Sequence, residues 1–397
     1  MAAINISERN LTLAKIDEAI IREKTKEAPR NYLGMSEIGH ECWRYLFYSF
    51  RGCAKRNIDL SIEKDPDVIA KEALGIRRTG GGHIQEDIMA ERLRLLPYIT
   101  LYTKDPNNEK EQIGFQLLLN HFSGHLDGMI KGIIEAPATW HVWENKACGD
   151  KKFTELENAI MKYGEKEALY NWNIVYYAQA QTYMLCSQTE RHYLTVVDSG
   201  GIKWTSVRTE FNRKYAESLI EKAKTIIFDN WNIPPKMNQN REFFQCKWCH
   251  FQGICHDGNL PDVNCRSCRY REPVQNGENK CLLHKKIIEK ELLNSSCPDH
   301  IYNPAIVPAK MIEHQDDGCI YKTENGFIFA NTTLTGMPDV KGKLDGIYTS
   351  LALRNDIKNV NSLNKESAQI VKTFDGAIET DGMKAWEKQK DAKQFEL

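Results

Sequence analysis

Twelve cysteines in a chain of 397 residues set the tightest condition on its folding, because eight of them stand at ligand-like positions. Cys246-x2-Cys249-x5-Cys255 places three thiols in one short loop. Cys265-x2-Cys268-x12-Cys281 follows, and then Cys297-Pro298-Asp299-His300. A C-x2-C knuckle brings two sulphurs toward one ion, whereas the same residues in disulfides would need an oxidising compartment. The N-terminus, MAAINISERNLTLAKIDEAI, has no basic stretch leading into an apolar one, so it does not read as a secretory signal and the expected compartment is the cytoplasm. The second group suits tetrahedral structural Zn2+ on Cys265, Cys268, Cys281 and Cys297, with His284 and His300 as alternatives for the fourth position. The first group is one thiolate short of a closed site. Cys53, Cys148, Cys186 and Cys319 have no partner by spacing and read as small buried apolar residues.

Composition excludes little. Hydrophobic residues make up 41% and charged residues 27%, as in ordinary globular proteins. No run of about 18 apolar residues is present, which argues against a spanning helix. The formal net charge of -1 leaves a nucleic-acid partner open, since a local basic groove fits inside a balanced total.

Hydrophobic periodicity predicts helices over residues 8–29, Ser36–Phe50 and Asp67–Leu95, the last interrupted or bent at Gly80-Gly81-Gly82. The period then shifts to short strands at Ile99–Thr103, Gln112–Leu119, Gly124–Ile130 and Trp140–Ala147. Helices are expected over 152–162 and Glu165–Ser187. A hairpin over His192–Val197 and Ile202–Arg208 turns at Asp198-Ser199-Gly200-Gly201. Phe211–Phe228 reads as a closing helix. Beyond the cysteine groups a helix is expected across His284–Leu293. Residues 305–350 look β-rich, with a turn at Thr323-Glu324-Asn325-Gly326, and a polar tail begins near residue 355.

Two of the short strands carry chemistry. Side chains on a strand alternate faces, so Glu144 and Lys146 in His141-Val142-Trp143-Glu144-Asn145-Lys146 point the same way. If the strand through Gly124-His125-Leu126-Asp127-Gly128 is its hairpin partner, Asp127 faces the same pocket. Two carboxylates there suit a hard divalent cation. Lys146 is no ligand; its place is beside a phosphate whose negative charge grows during attack. A bare E-x-K is common by chance, and the alternative is two strands with exposed charges. His125 should face the opposite side of its strand and Gln181 is offset along its helix, so both read as structural. Lys151 and Lys152, just beyond the E-x-K strand, are candidates for phosphate contacts.

The wider order narrows the reading. His83 follows three glycines, and Gln179 and Tyr183 lie at i and i+4, hence on one helix face. The succession H…GxxD…ExK…QxxxY resembles the RecB-type branch of the PD-(D/E)XK nucleases, over roughly residues 32–255. The resemblance implies an α/β fold: a restriction-endonuclease-like core, with a mixed central sheet flanked by helices, and a cysteine-rich C-terminal extension. It implies that His83, Asp127 and Glu144 bind Mg2+ or Mn2+, that Lys146 acts in catalysis, and that Gln179 and Tyr183 support the site and DNA. The departure is Leu126 where the family name has proline, a position at which this branch is tolerant. Members with an iron–sulfur cluster split its ligands, one cysteine before the core and three after it. This chain is similar at Cys42, Cys246, Cys249 and Cys255, which implies a [4Fe–4S] cluster, although zinc accepts the same ligands.

The expected organisation is a nuclease domain over residues 1–260, a zinc-binding module over 261–304 and a small β-rich region with a polar tail over 305–397. The expected function is a metal-dependent exonuclease at linear DNA ends in phage recombination or replication, in the host cytoplasm if phage-encoded. Its partners would be DNA and a single-strand annealing protein, and a homo-oligomer fits the resemblance. Two rivals are a CRISPR-adaptation-type end-trimming nuclease and a non-catalytic DNA-binding module with structural metals. In the zinc module, Arg266, Arg269 and Arg271 are candidate DNA contacts.

Overall fold

The computed structural model describes residues 10–27, 30–53, 60–334, 336 and 344–364. The first helix, α1 (Leu11–Thr25), is shorter at both ends than its periodic segment. The expected helix Ser36–Phe50 divides: β1 (Leu33–Gly34) leads into a 3-10 turn at Met35–Glu37, and α2 (Trp43–Phe50) follows separately. Between them Gly39 presses onto another part of the chain. A Cβ there would stand 2.5 Å from the Val175 backbone, so this stretch packs as a loop.

The long helix α3 (Pro66–Arg94) starts at Asp65, whose side chain accepts from the Asp67 N–H. Pro66 sits in the first turn, where its missing N–H leaves no bond unmade. The interruption expected at Gly80–Gly82 does not occur: the helix is continuous through them. Each interior glycine costs roughly 1 kcal/mol against alanine, but the turns on both sides are held. Arg77 pairs with Asp17 of α1 at 3.5 Å, while Met89 and Ala90 are buried with Ile130, Trp143 and Val197.

Five short strands follow: β2 (Thr100–Tyr102), β3 (Gly114–Leu117), β4 (Phe122–His125), β5 (Gly128–Lys131) and β6 (His141–Cys148). β4 pairs antiparallel with β3 and parallel with β1, giving a small sheet. The strand expected over Gly124–Ile130 is cut at Leu126-Asp127. β4 stays in the small sheet, and β5 crosses into the main one between β2 and β6. Leu126 pins this corner: it is fully buried, and its N–H reaches the Ile113 carbonyl at 2.8 Å. Asp127 therefore occupies a corner between two sheets.

Three helices carry the chain over the main sheet: α4 (Asp150–Tyr163), α5 (Glu165–Trp172) and α6 (Ile174–Ser187). The single helix expected across Glu165–Ser187 breaks at Asn173, whose extended backbone stops α5 while its side chain caps the N–H groups of Val175 and Tyr176. This crossover returns β7 (Arg191–Asp198) parallel to β6, and β8 (Trp204–Glu210) folds back antiparallel. The main sheet runs β2-β5-β6-β7-β8, so β6 is its central strand, buried from His141 to Asn145. Helix α7 (Arg213–Phe228) closes this unit.

Two short helices, α8 (Phe244–Lys247) and α9 (Gln252–His256), hold the first cysteine loop. An antiparallel meander follows, of β9 (Arg271–Pro273), β10 (Asn279–Cys281) and β11 (Lys286–Ile288). No helix spans His284–Leu293. Lys285 adopts φ 53°, turning β11 back onto β10, and a 3-10 turn covers Lys290–Asn294. The β-rich expectation for the next stretch matches β12 (Lys310–Gln315), β13 (Gly318–Lys322), β14 (Ile328–Thr332) and β15 (Gly346–Thr349). Val263, Tyr270, Ile301, Tyr302, Tyr321 and Phe329, from both sides of residue 304, belong to one buried cluster. Of the polar tail, residues 365–397 lie outside the described residues. Among the described residues no helix is long and apolar enough to cross a membrane.

An unbroken α3 makes a sharp prediction. Gly81 has open space where a Cβ would stand, so Gly81→Ala should raise stability by about 1 kcal/mol in urea denaturation. A loss of stability would mean that the helix breaks there.

Candidate functional site

The site is built on the central strand. Glu144 and Lys146 share a face of β6, and the Lys146 ammonium donates to Glu144 Oε2 at 2.6 Å. Asp127 comes in from the sheet corner: its Oδ2 lies 3.6 Å from Lys146 Nζ and accepts from the Asn145 N–H at 2.8 Å. Glu144 is only 2% exposed. Burial, followed by the charge of Asp127, pushes its carboxyl above the usual range, against the pull of Lys146. Burial works against the Lys146 ammonium, but Glu144 and Asp127 outweigh it and hold its pKa above the ordinary lysine value.

Helix α6 supplies the wall behind this group. Gln179 Nε2 donates to Glu144 Oε2 at 2.9 Å. Tyr183, one turn further on, is buried with its hydroxyl against Gln179. Burial, then Glu144, raises its phenol above the usual value. With one oxygen of Glu144 bonded twice, the other, Oε1, is buried without a partner. A buried lone oxygen is costly unless something meets it. Asp127, Glu144, Lys146, Gln179 and Tyr183 thus come together in one place.

His83 does not join them. It lies on the outer side of α3, 71% exposed, with Nδ1 3.7 Å from Glu86 Oε2. Glu86 is the group that α3 turns toward the site. Burial and the charge of Asp127 raise its carboxyl, while Lys146 and His83 pull it down. Sequence reasoning passed over Glu86, although a signal existed: it precedes the buried Met89 and Ala90 by three and four residues, hence shares their inward face. Tyr176 was also missed; its ring lies 5.8 Å from Lys146 Nζ. Three carboxylates and an ammonium on one patch suit a hard divalent cation with an anionic group beside it.

The flanking residues sort cleanly. His125 is exposed, and Gln181 bonds the Glu210 carbonyl and the Asn212 N–H, as a structural residue would. Lys151 and Lys152 are exposed at the start of α4. Cys53 and Cys319 are buried, but Cys148 and Cys186 are only partly so.

Both cysteine groups gather around cavities. Cys42, Cys246, Cys249 and Cys255 line one of them, together with His40, Arg44 and Tyr45. Arg44 Nη1 lies 3.9 Å from Cys255 Sγ, and the Phe251 N–H reaches Cys249 Sγ at 3.4 Å. Cys42 is the residue from which α2 starts. Cys265, Cys268, Cys281 and Cys297 line the other cavity with His284, Asp299 and His300. His300 is engaged elsewhere through Nε2, on the Asn264 carbonyl at 3.0 Å.

The arginines expected on DNA face inward instead. Arg266 Nη2 donates to the carbonyls of Ser49 and Phe50 at 2.9 and 2.8 Å, and Arg271 donates to Asn279 Oδ1. Arg269 Nη1 bonds the carbonyls of Gln315 and Gly318. A guanidinium reads as a DNA contact only while exposed, and these cap backbone carbonyls.

Gln179→Leu keeps the volume but removes the donor to a buried carboxylate. The expected cost is about 1–3 kcal/mol in denaturant unfolding, and an unchanged midpoint would show that the bond does not hold Glu144.

No family model matches the sequence, and no curated relative does. Among solved structures, the chain is similar to the crystal structure of SSO0001 at 14% identity and a TM-score of 0.32, over 60% of this chain and 96% of that one. It is also similar to an alkaline exonuclease (LHK-Exo) from Laribacter hongkongensis at 12% identity and a TM-score of 0.32, over 50% of this chain and 86% of that one. At such values the functional reading rests on the chain's own site.

Proposed function

We propose that this chain is a divalent-metal-dependent deoxyribonuclease that hydrolyses phosphodiester bonds at the ends of linear DNA. One observation carries the reading: Asp127 and Glu144 converge on Lys146, and Glu144 Oε1 is buried without a hydrogen-bond partner. A buried carboxylate oxygen without a partner, with Asp127 on the same ammonium and the charge of Glu86 acting on Asp127, fits Mg2+ or Mn2+ on Asp127 and Glu144, with Glu86 nearby. His83, linked to Glu86, stands at the outer margin of that group. A divalent cation held there supplies Lewis acidity to a phosphate. The protein's own part is placement. Lys146 presents a fixed positive charge where negative charge develops on the phosphate oxygens. Gln179 holds the Glu144 carboxylate from behind, and Tyr183 steadies Gln179. The Asn145 N–H fixes Asp127 at the corner. The order of motifs supports the narrower reading, an exonuclease of phage recombination or replication.

The proposal extends to the first cavity, where Cys42, Cys246, Cys249 and Cys255 would hold a [4Fe–4S] cluster. The four thiols lining it and the cations beside it support this. Arg44 approaches Cys255, and Lys222, held by the carbonyls of Ile38 and His40, lies near Cys42. Both offset the negative charge of four thiolates.

End-labelled linear duplex and closed circular DNA, each with Mn2+, test the first claim. Linear DNA should be degraded and circles spared, with Lys146→Ala slower by at least about 100-fold. Cleavage of circles would make the enzyme an endonuclease, and no metal-dependent cleavage of either would sink the nuclease reading. For the second claim, protein purified without air should be brown and contain iron and sulfide. Cys42→Ser should lose the colour, and a colourless wild-type preparation holding zinc would refute the cluster.

A further inference from the structure

Helix α6 lies against β6 through two matched contacts. Gln179 meets Glu144, and one turn earlier the Tyr176 ring lies 5.8 Å from Lys146 Nζ. Residues three apart share a helix face, so Tyr176 stands on the same wall of the site as Gln179. The break at Asn173 sets what comes next. Asn173 Oδ1 accepts from the Tyr176 N–H at 3.2 Å, which fixes the start of α6, and α5 ends at Trp172. The Trp172 ring lies 5.7 Å from that of Tyr176. Its indole N–H donates to the Lys152 carbonyl at 3.0 Å, in the first turn of α4. A line of two rings therefore leads away from the lysine of the site.

These rings are not wholly spent on the core. Each packs against the cluster of Phe153, Leu156 and Leu169, yet each remains partly exposed. Their planes are tilted by 53°, so neither ring stacks on the face of the other. Lys151 and Lys152, next to the Trp172 anchor, are exposed. Aromatic faces beside a run of cations are what a single strand needs, the rings for its bases and the cations for its phosphates.

We propose that Tyr176 and Trp172 form a seat on which unpaired nucleobases stack, while the phosphates of the same strand pass Lys146 and then Lys151 and Lys152. A base resting on Tyr176 brings the phosphate of its own nucleotide within reach of Lys146. Stacking is sequence-tolerant, because every base has a π-face, and an enzyme that consumes a strand from its end needs that tolerance. A base inside a duplex already has stacking neighbours, so the seat takes an end that is single-stranded or frayed, where unpairing costs least. This inference deepens the nuclease reading and rests on it.

Two measurements on the full chain test it. In Ca2+, single-stranded oligonucleotides carrying 2-aminopurine at the 5′ or the 3′ terminal position are titrated with protein, and stacking quenches the probe. One of the two should be quenched, Tyr176→Leu should abolish most of that quenching, and Tyr176→Phe, which keeps the ring, should restore it. In Mn2+, replacing the terminal nucleotides by abasic ones should raise the wild-type KM roughly 5- to 150-fold. This comparison stands even if Tyr176→Leu does not fold. Tyr176→Leu should raise KM by a similar factor on the intact strand and scarcely at all on the abasic one, whereas a purely structural role would impair both alike. Equal impairment overturns the seat, as does an unchanged wild-type KM on the abasic strand or quenching at neither end. Quenching without metal-dependent cleavage supports the seat and sinks the nuclease reading, and cleavage with a KM that Tyr176→Leu leaves unmoved does the reverse.

Discussion

A carboxylate and an ammonium sit side by side on the central strand of the main sheet, 2.6 Å apart, the first buried and the second partly so. Neither could stay there alone, since an unpaired buried charge is among the costliest features a fold can contain. Much of the surrounding architecture answers that demand. The crossover of three helices places Gln179 against Glu144, the corner at Leu126 delivers Asp127 to Lys146, and the unbroken α3 brings Glu86 to the same patch. Glu144 Oε1 is buried without a partner, and an unmet carboxylate oxygen of this kind marks where a ligand belongs.

A second constraint concerns α2, a helix of only two turns with a different device at each end. Its first residue follows Cys42, in the wall of the first cysteine cavity. Its last carbonyls, at Ser49 and Phe50, are taken by Arg266 from the second cysteine module. A cation at a helix C-terminus follows the direction of the helix dipole. Arg51, also buried, ties the same end to the carbonyls of Ile226 and Asp229 at the foot of α7. The two cysteine groups, distant in sequence, are thereby joined through eight residues of helix.

What was legible in the sequence was local. Glu144 and Lys146 share a face because a strand has a period of two, and Gln179 and Tyr183 share one because a helix brings i and i+4 together. The cysteines group as their spacing implies, since a few residues cannot separate two sulphurs by much. Even local reading failed where neighbours intervened. Asn173 stopped a helix that periodicity would continue, Gly39 let a loop pack where a helix was expected, and Lys285 turned a strand back where a helix seemed due.

The remainder depended on elements far apart in the chain. No spacing rule places Asp127 at a corner between two sheets, chooses Glu86 over His83 as the inward group of α3, or turns Arg266 and Arg271 from surface to interior. The sequence by itself determined which side chains share a strand face, a helix face or a knuckle, because those relations are set by bond geometry over a few residues. Tertiary structure alone decided which of those faces meet, because that is settled by packing and by the need to pair every buried charge.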